Sequence, residues 1–226
     1  VTLENPHLDI AELFDTIEAN RVNTIAIVGD AFAKPMLRAL DAEPERWDLS
    51  SLIVIASSGV MFSESSKAGL IRHLPQVMIV DAFSSSEAIG MGQSVTAAGV
   101  DAGTAKFSLG ANTKVFTDDH REVVQGSGEI GKVAVGGYQP IGYYKDPDKT
   151  AATFLTVDGK RYSVPGDFAT VEADGSITLL GRGSVCINTG GEKVFPEEVE
   201  EVLKLHPTVA DAVVVGDRGA VIDERL

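Results

Sequence analysis

Few side chains here stand in an arrangement that could do chemistry, and those few are far apart. Ser84, Ser85, Ser86 and Glu87 follow the apolar run QVMIVDAF, so small hydroxyls and one carboxylate collect where a strand should end. Asp167 follows Gly166 in the stretch YSVPGDFATV, and Arg182 closes SITLLGR. Gly190 and Gly191 sit before EKVFPEEVE. Each has a plain structural reading. Glu87 suits a turn cap, Asp167 a turn, Arg182 a salt bridge and the glycine pair a loop. None belongs to a Gly-x-Ser-x-Gly elbow, a His-Glu-x-x-His helix or a Gly-x-x-x-x-Gly-Lys-[Ser/Thr] loop. The four histidines are scattered, and His73 and His206 close helices, where a cation complements the dipole. Cys186 lies between Val185 and Ile187 and reads as a core thiol.

The bulk properties narrow the classes. The chain has 226 residues, 44% of them hydrophobic, and a formal net charge of −14. That charge argues against a general nucleic-acid binder, which needs a basic face. It leaves open a small anionic ligand held by local N–H groups and a few cations. One cysteine excludes an internal disulfide and a zinc site of several thiolates, so a reducing cytoplasm is the default. No apolar run nears the roughly 18 residues that span a bilayer, and no signal peptide is visible.

The elements that must position these residues follow from periodicity. DIAELFDTIEANR reads as a helix, NTIAIVG as a strand, DAFAKPMLRALDA as a helix with Pro35 near its first turn, and SLIVIASSG as a strand. SESSKAGLIRHLP is a helix, with Ser63 or Ser65 as cap and Pro75 as stop, and QVMIVDAF is a third strand. This rhythm predicts a mostly parallel sheet covered on both faces. In such sheets ligands sit beyond the carboxyl ends of the strands. Two of those ends, IASSGVMFS and IVDAFSSSE, are alike in being small and hydroxyl-rich, which suggests a shared crevice. From residue 107 short strands with turns at Asp158-Gly159 and Asp174-Gly175 predict an antiparallel, barrel-like region, with KDPDKTAATF as one short helix. From 185, strand, Gly-Gly loop, helix and a strand over VADAVVV predict the opening of a small α+β domain, its helix starting at Pro196.

Taken together and in this order, four segments resemble the adenylate-forming (AMP-binding) superfamily of acyl-CoA synthetases, luciferases and peptide-synthetase adenylation domains. DAFSSSE is similar to its aromatic-Gly-x-Thr-Glu segment. GEIGKVAVGGYQPIGYYKDPDKTAATF, YSVPGDFATVEADGSITLLGR and GGEKVFPEEVEEVLKLHPTVADAVVVG resemble three further blocks, the last opening its C-terminal lid. The likeness runs from about residue 20 to 216. VGDAFAKPMLRAL with SSGVMFS resembles bacterial members acting on fatty-acid or sterol side-chain carboxylates.

The resemblance implies an α/β fold in which residues 1–106 and 107–181 form two parts of a large domain, 182–184 a hinge and 185–226 the start of the lid. It implies an ATP-dependent acid–thiol ligase: a long-chain fatty or sterol side-chain carboxylate attacks ATP to give acyl-AMP and pyrophosphate, and coenzyme A then displaces AMP. Phe83 would stack on adenine beside Ser58 and Gly59, with Ser84 where the family has Gly. Ser86 would bond the α-phosphate and Glu87 would hold Mg²⁺. Asp167 would take both ribose hydroxyls, and Arg182 would reach the ribose or the phosphate side. Gly183 and Ser184 would form the hinge, and Gly190, Gly191, Glu192 and Lys193 the coenzyme A side. Gly90 and Gly92 would leave room for the acyl chain. The family's phosphate loop would lie upstream and its lid lysine downstream, so this stretch alone is expected not to adenylate. The partners implied are the carboxylate, ATP and coenzyme A, with no nucleic acid and no membrane span. The oligomeric state, a carrier protein as acceptor and a catalytically degenerate nucleotide-binding module stay open as alternatives.

Overall fold

The computed structural model describes residues 7–60, 62–100, 105–189, 192–204, 206, 208–209 and 211–216. The first part runs α1 (Ile10–Asn20), β1 (Thr24–Ile27), α2 (Gly29–Ala42), β2 (Val54–Ser58), α3 (Glu64–His73) and β3 (Met78–Phe83). Asp9 caps α1 by accepting the Glu12 N–H at 3.2 Å. Ser63 caps α3 by accepting from Ser66, so Ser65 lies inside the helix. Pro35 falls in the second turn of α2, because that helix begins at Gly29.

The strands β1, β2 and β3 pair in parallel, but the sheet is not mostly parallel. Residues 84–91 alone join β3 to β4 (Gly92–Thr96), fewer than the roughly dozen a parallel crossover needs. The chain therefore turns back, and β4 pairs antiparallel to β3. Every later pairing is also antiparallel. Nor do α1, α2 and α3 cover both faces. Ile27, Ile55 and Ile79 pack with Phe14, Met36 and Leu70 in one core, while on the opposite face Ala26 is exposed and Val54, Ala56 and Val80 are half-buried.

The remaining elements are β5 (Lys106–Leu109), β6 (Thr113–Phe116), β7 (Ile130–Val135), α4 (Pro147–Thr153), β8 (Phe154–Val157), β9 (Lys160–Ser163), β10 (Asp167–Val171), β11 (Ile177–Arg182), β12 (Ile187–Thr189), β13 (Glu192–Val194) and α5 (Pro196–Lys204). One 11-stranded sheet runs β1-β2-β3-β4-β5-β11-β10-β7-β9-β8, with β6 also on β7. The antiparallel part does not close into a barrel. β5 carries the sheet from one half to the other, and a second core joins Phe83 and Met91 to Phe107, Val133, Ala169 and Ile177. The stretch 211–216 forms no strand, although VADAVVV reads as one, and Ala210 lies outside the described residues. No described helix is long and apolar enough to cross a membrane.

Candidate nucleotide site

Ser58 ends β2 and Ala82 lies beside it on β3, so the two hydroxyl-rich strand ends are neighbours. The chain then brings β5, β11 and β10 alongside. Between them lies a cavity of about 290 Å³. Gly59, Phe83, Ser84, Asp167 and Arg182 all line it, from four separated places in the sequence.

Asp167 and Arg182 are direct cross-strand partners on β10 and β11. The Arg182 Nε–H donates to Asp167 Oδ1 at 3.2 Å. The carboxylate is almost wholly buried and the guanidinium mostly exposed. Asp167 Oδ2 is buried with no hydrogen-bond partner among the described residues. Burial raises the Asp167 pKa, and Arg182 offsets this only in part. An acceptor oxygen in that state favours a ligand that donates.

Phe83 packs its ring on Phe107, centroids 5.6 Å apart, and both line the cavity with Leu179. This gives one apolar end suited to a flat ring. Ser84 Oγ accepts the Gly90 N–H at 3.1 Å and so pins the turn after β3. Glu87 stands beside the cavity rather than in its wall. Its Oε1 accepts from the Tyr143 hydroxyl at 2.5 Å, which holds the carboxyl below its usual range. Ser58 and Ser86 are exposed and do not line the cavity. Gly92 leaves no space: a Cβ there would meet Ser108 O at 3.0 Å and Phe107 Cβ at 3.2 Å, because β5 packs against it. Gly90, at φ +73, does face open space.

Gly183 and Ser184 form a turn directly after β11, with Gly183 N–H donating to Gly166 O at 2.9 Å. Lys193 Nζ lies 4.4 Å from the centre of the Phe168 ring. Gly190 and Gly191 lie outside the described residues.

Several site residues were not singled out from the sequence. Asp81 lines the cavity and forms a buried pair with Lys67 at 3.4 Å. Its signal was strand alternation, since Asp81 shares a face with Phe83. Tyr143 carries no local signal for Glu87, 56 residues away. Glu197, from α5, enters the cavity so closely that a Cβ on Gly181 would collide with its Oε2.

Relatives align over this whole arrangement. No protein-family model matches the chain. It is 47% identical over 218 residues to a medium/long-chain-fatty-acid–CoA/3-oxocholest-4-en-26-oate–CoA ligase of Mycolicibacterium smegmatis, covering 95% of this chain and 40% of that ligase. A 3-oxocholest-4-en-26-oate–CoA ligase of Rhodococcus rhodochrous is also 47% identical, over 230 residues, 98% of this chain and 40% of the ligase. Among solved structures, the amide bond synthetase McbA from Marinactinospora thermotolerans superposes with a TM-score of 0.78 at 22% identity, over 94% of this chain and 42% of that one. The anthranilate CoA ligase AuaEII in complex with anthranoyl-AMP gives 0.74 at 24% identity, over 92% and 39%.

Over nearly its whole length the chain is similar in sequence to curated CoA ligases. It spans about 40% of the length of its curated ligase relatives. Its α/β fold is that of adenylation domains.

Proposed function

We propose that the full-length protein is an AMP-forming acyl-CoA ligase acting on a medium- or long-chain fatty or sterol side-chain carboxylate. The observation that carries this is the convergence of Phe83, Asp167 and Arg182 on one cavity at the strand ends, in a chain nearly half identical to such ligases. Adenine stacks against Phe83, beside Gly59 and near Ser58. The ribose hydroxyls donate to Asp167, whose Oδ2 is waiting for a donor. Arg182, tied to Asp167 through Nε, turns its exposed end toward the sugar or phosphate.

Ser86 and Glu87 stand on the phosphate side. Mg²⁺ takes oxygen ligands and keeps phosphate oxygens and waters around it, so one carboxylate suffices from the protein. Glu87 fits that role because it is a carboxylate whose charged form the Tyr143 hydrogen bond favours. Among the described residues no cluster of three His, Cys, Asp or Glu could hold a metal alone, so the ion would arrive with the nucleotide. Its chemistry is to neutralise phosphate charge.

The two half-reactions need positioning and charge neutralisation more than covalent help. The carboxylate attacks the α-phosphate and pyrophosphate leaves; the thiol attacks the acyl carbon, AMP leaves and the thiol proton is released. Residues 1–106 and 107–181 would belong to the large domain. Gly183 and Ser184 would be the hinge between them and a lid beginning at 185. Gly190, Gly191, Glu192 and Lys193 would line the pantetheine path.

The test supplies full-length protein with ATP, Mg²⁺ and a panel of short, long and sterol-derived carboxylates, with and without coenzyme A. AMP and thioester are followed by mass spectrometry. Thioester from one class of acid, dependent on free coenzyme A, is the expected result. AMP without thioester would point to a carrier protein as acceptor, and nucleotide binding without AMP to a degenerate module.

A further inference from the structure

We infer that Glu197 is a second ligand of the nucleotide sugar, so that Asp167 and Glu197 together form a receptor for a vicinal diol. The inference rests on the nucleotide reading above and extends it to a residue of the proposed lid.

Two carboxylate oxygens, Asp167 Oδ2 and Glu197 Oε2, are buried without a hydrogen-bond partner among the described residues. Both residues line the same cavity. A buried acceptor left unmade is costly, and two of like charge in one cavity are costlier still. The charge of Asp167 is felt at Glu197, whose pKa is raised, first by burial and then by its acidic neighbours. A ligand that donates a hydrogen bond to each would relieve both oxygens. A phosphate would be repelled by them. The donors of a nucleotide are its two ribose hydroxyls and any exocyclic amine. The amine belongs with the base at the apolar end, near Phe83 and Phe107. The hydroxyls are left for the carboxylates.

The placement of Glu197 is built rather than incidental. Gly181, at φ +136, lacks the Cβ that would collide with Glu197 Oε2. Phe195, two residues earlier, is buried against Phe168 with centroids 5.6 Å apart. Phe168 follows Asp167 in the chain and pairs with Gly181. The packing that seats α5 therefore also sets Glu197 in the cavity that Asp167 lines. Bound nucleotide would hold α5 against β11, linking sugar recognition to the position of everything after the turn at 183–185.

The test measures binding of AMP, 2′-deoxy-AMP and 3′-deoxy-AMP to the full-length protein by titration calorimetry, with Glu197→Ala and Glu197→Gln alongside. Glu197→Ala should weaken AMP on the order of tenfold, the scale of one hydrogen bond to a charged group. One deoxy analogue should bind the unaltered protein more weakly than AMP, yet bind Glu197→Ala as well as AMP does. Glu197→Gln should recover part of the loss, because its amide oxygen still accepts. AMP binding that is unchanged or tighter in Glu197→Ala, or deoxy penalties that survive it intact, would overturn the inference. If the unaltered protein bound neither AMP nor ATP, the nucleotide reading itself would fall with it. If AMP binds and Asp167→Asn weakens it while Glu197→Ala does not, only the role of Glu197 falls. Hydrogen exchange adds a readout independent of affinity: AMP should protect the amides of α5 in the unaltered protein and not in Glu197→Ala.

Discussion

The Tyr143 hydroxyl donates to Glu87 Oε1 at 2.5 Å across 56 residues of sequence. That bond is the first cause of the lowered Glu87 pKa, and it raises that of Tyr143 in return. Removing the hydroxyl should let the Glu87 carboxyl rise toward its ordinary value. Tyr143→Phe should therefore move the acid limb of the kcat/KM profile to higher pH and lower kcat by roughly tenfold, the scale of one strong hydrogen bond. A profile whose acid limb stays in place would separate Glu87 from the metal-dependent step.

Asp167 and Arg182 make a second, separable prediction. Asp167→Asn keeps the shape and removes the charge that pairs with Arg182. It should weaken ATP and AMP by about 10- to 100-fold, from the loss of charge-assisted bonds to the ribose. Binding of a nucleotide-free acyl chain should not change. Equilibrium titration with labelled AMP and with a fatty acid checks both halves.

How much of this was legible depends on the physical signal available. α1, α2, α3 and the strands between them follow apolar periodicity, and the turns at Gly159 and Gly175 follow their chemistry. β4 was hidden because GQSVT has little apolar content, and its pairing comes from the short connection after β3. VADAVVV has strand composition but no strand partner among the described residues, and composition cannot supply one. Phe83, Asp167 and Arg182, which line one cavity, were singled out because the blocks around Asp167 and Arg182 keep their glycines and spacing, and Phe83 opens the hydroxyl-rich run after β3. Asp81 and Glu197 were not. Their roles depend on register and on the seating of α5, which appear only when distant strands are placed side by side.

The Lys67–Asp81 pair, at 3.4 Å, has both side chains almost fully buried, and Asp81 lines the cavity. Burial raises the Asp81 pKa against the pull of Lys67. Lys67→Met would leave the carboxylate buried without its cation, at a cost of about 3–5 kcal/mol when ionised. A raised carboxyl binds its proton more tightly in the folded state, so the penalty is full above the folded pKa and fades as pH falls through it. Denaturant unfolding of Lys67→Met should thus show a larger loss at pH 8 than at pH 5. Equal losses at both would mean that Asp81 finds another partner.

Gly183 was expected to ease motion, and its surroundings give it a second reason to be glycine. A Cβ there would lie 2.7 Å from Phe168 Cε2. That ring also packs on Phe195 and under Lys193, so it cannot yield without loosening the seat of α5. Gly183→Ala should cost about 1–3 kcal/mol by overpacking, and Phe168→Leu in the same protein should return part of it. If Gly183 is also where the lid turns, the substitution must alter the two half-reactions unequally, because only the second depends on the lid changing position. Pyrophosphate exchange reports the first and thioester formation from preformed acyl-AMP the second. A common fold-loss in both would make Gly183 a packing residue alone, and the hinge would have to lie elsewhere.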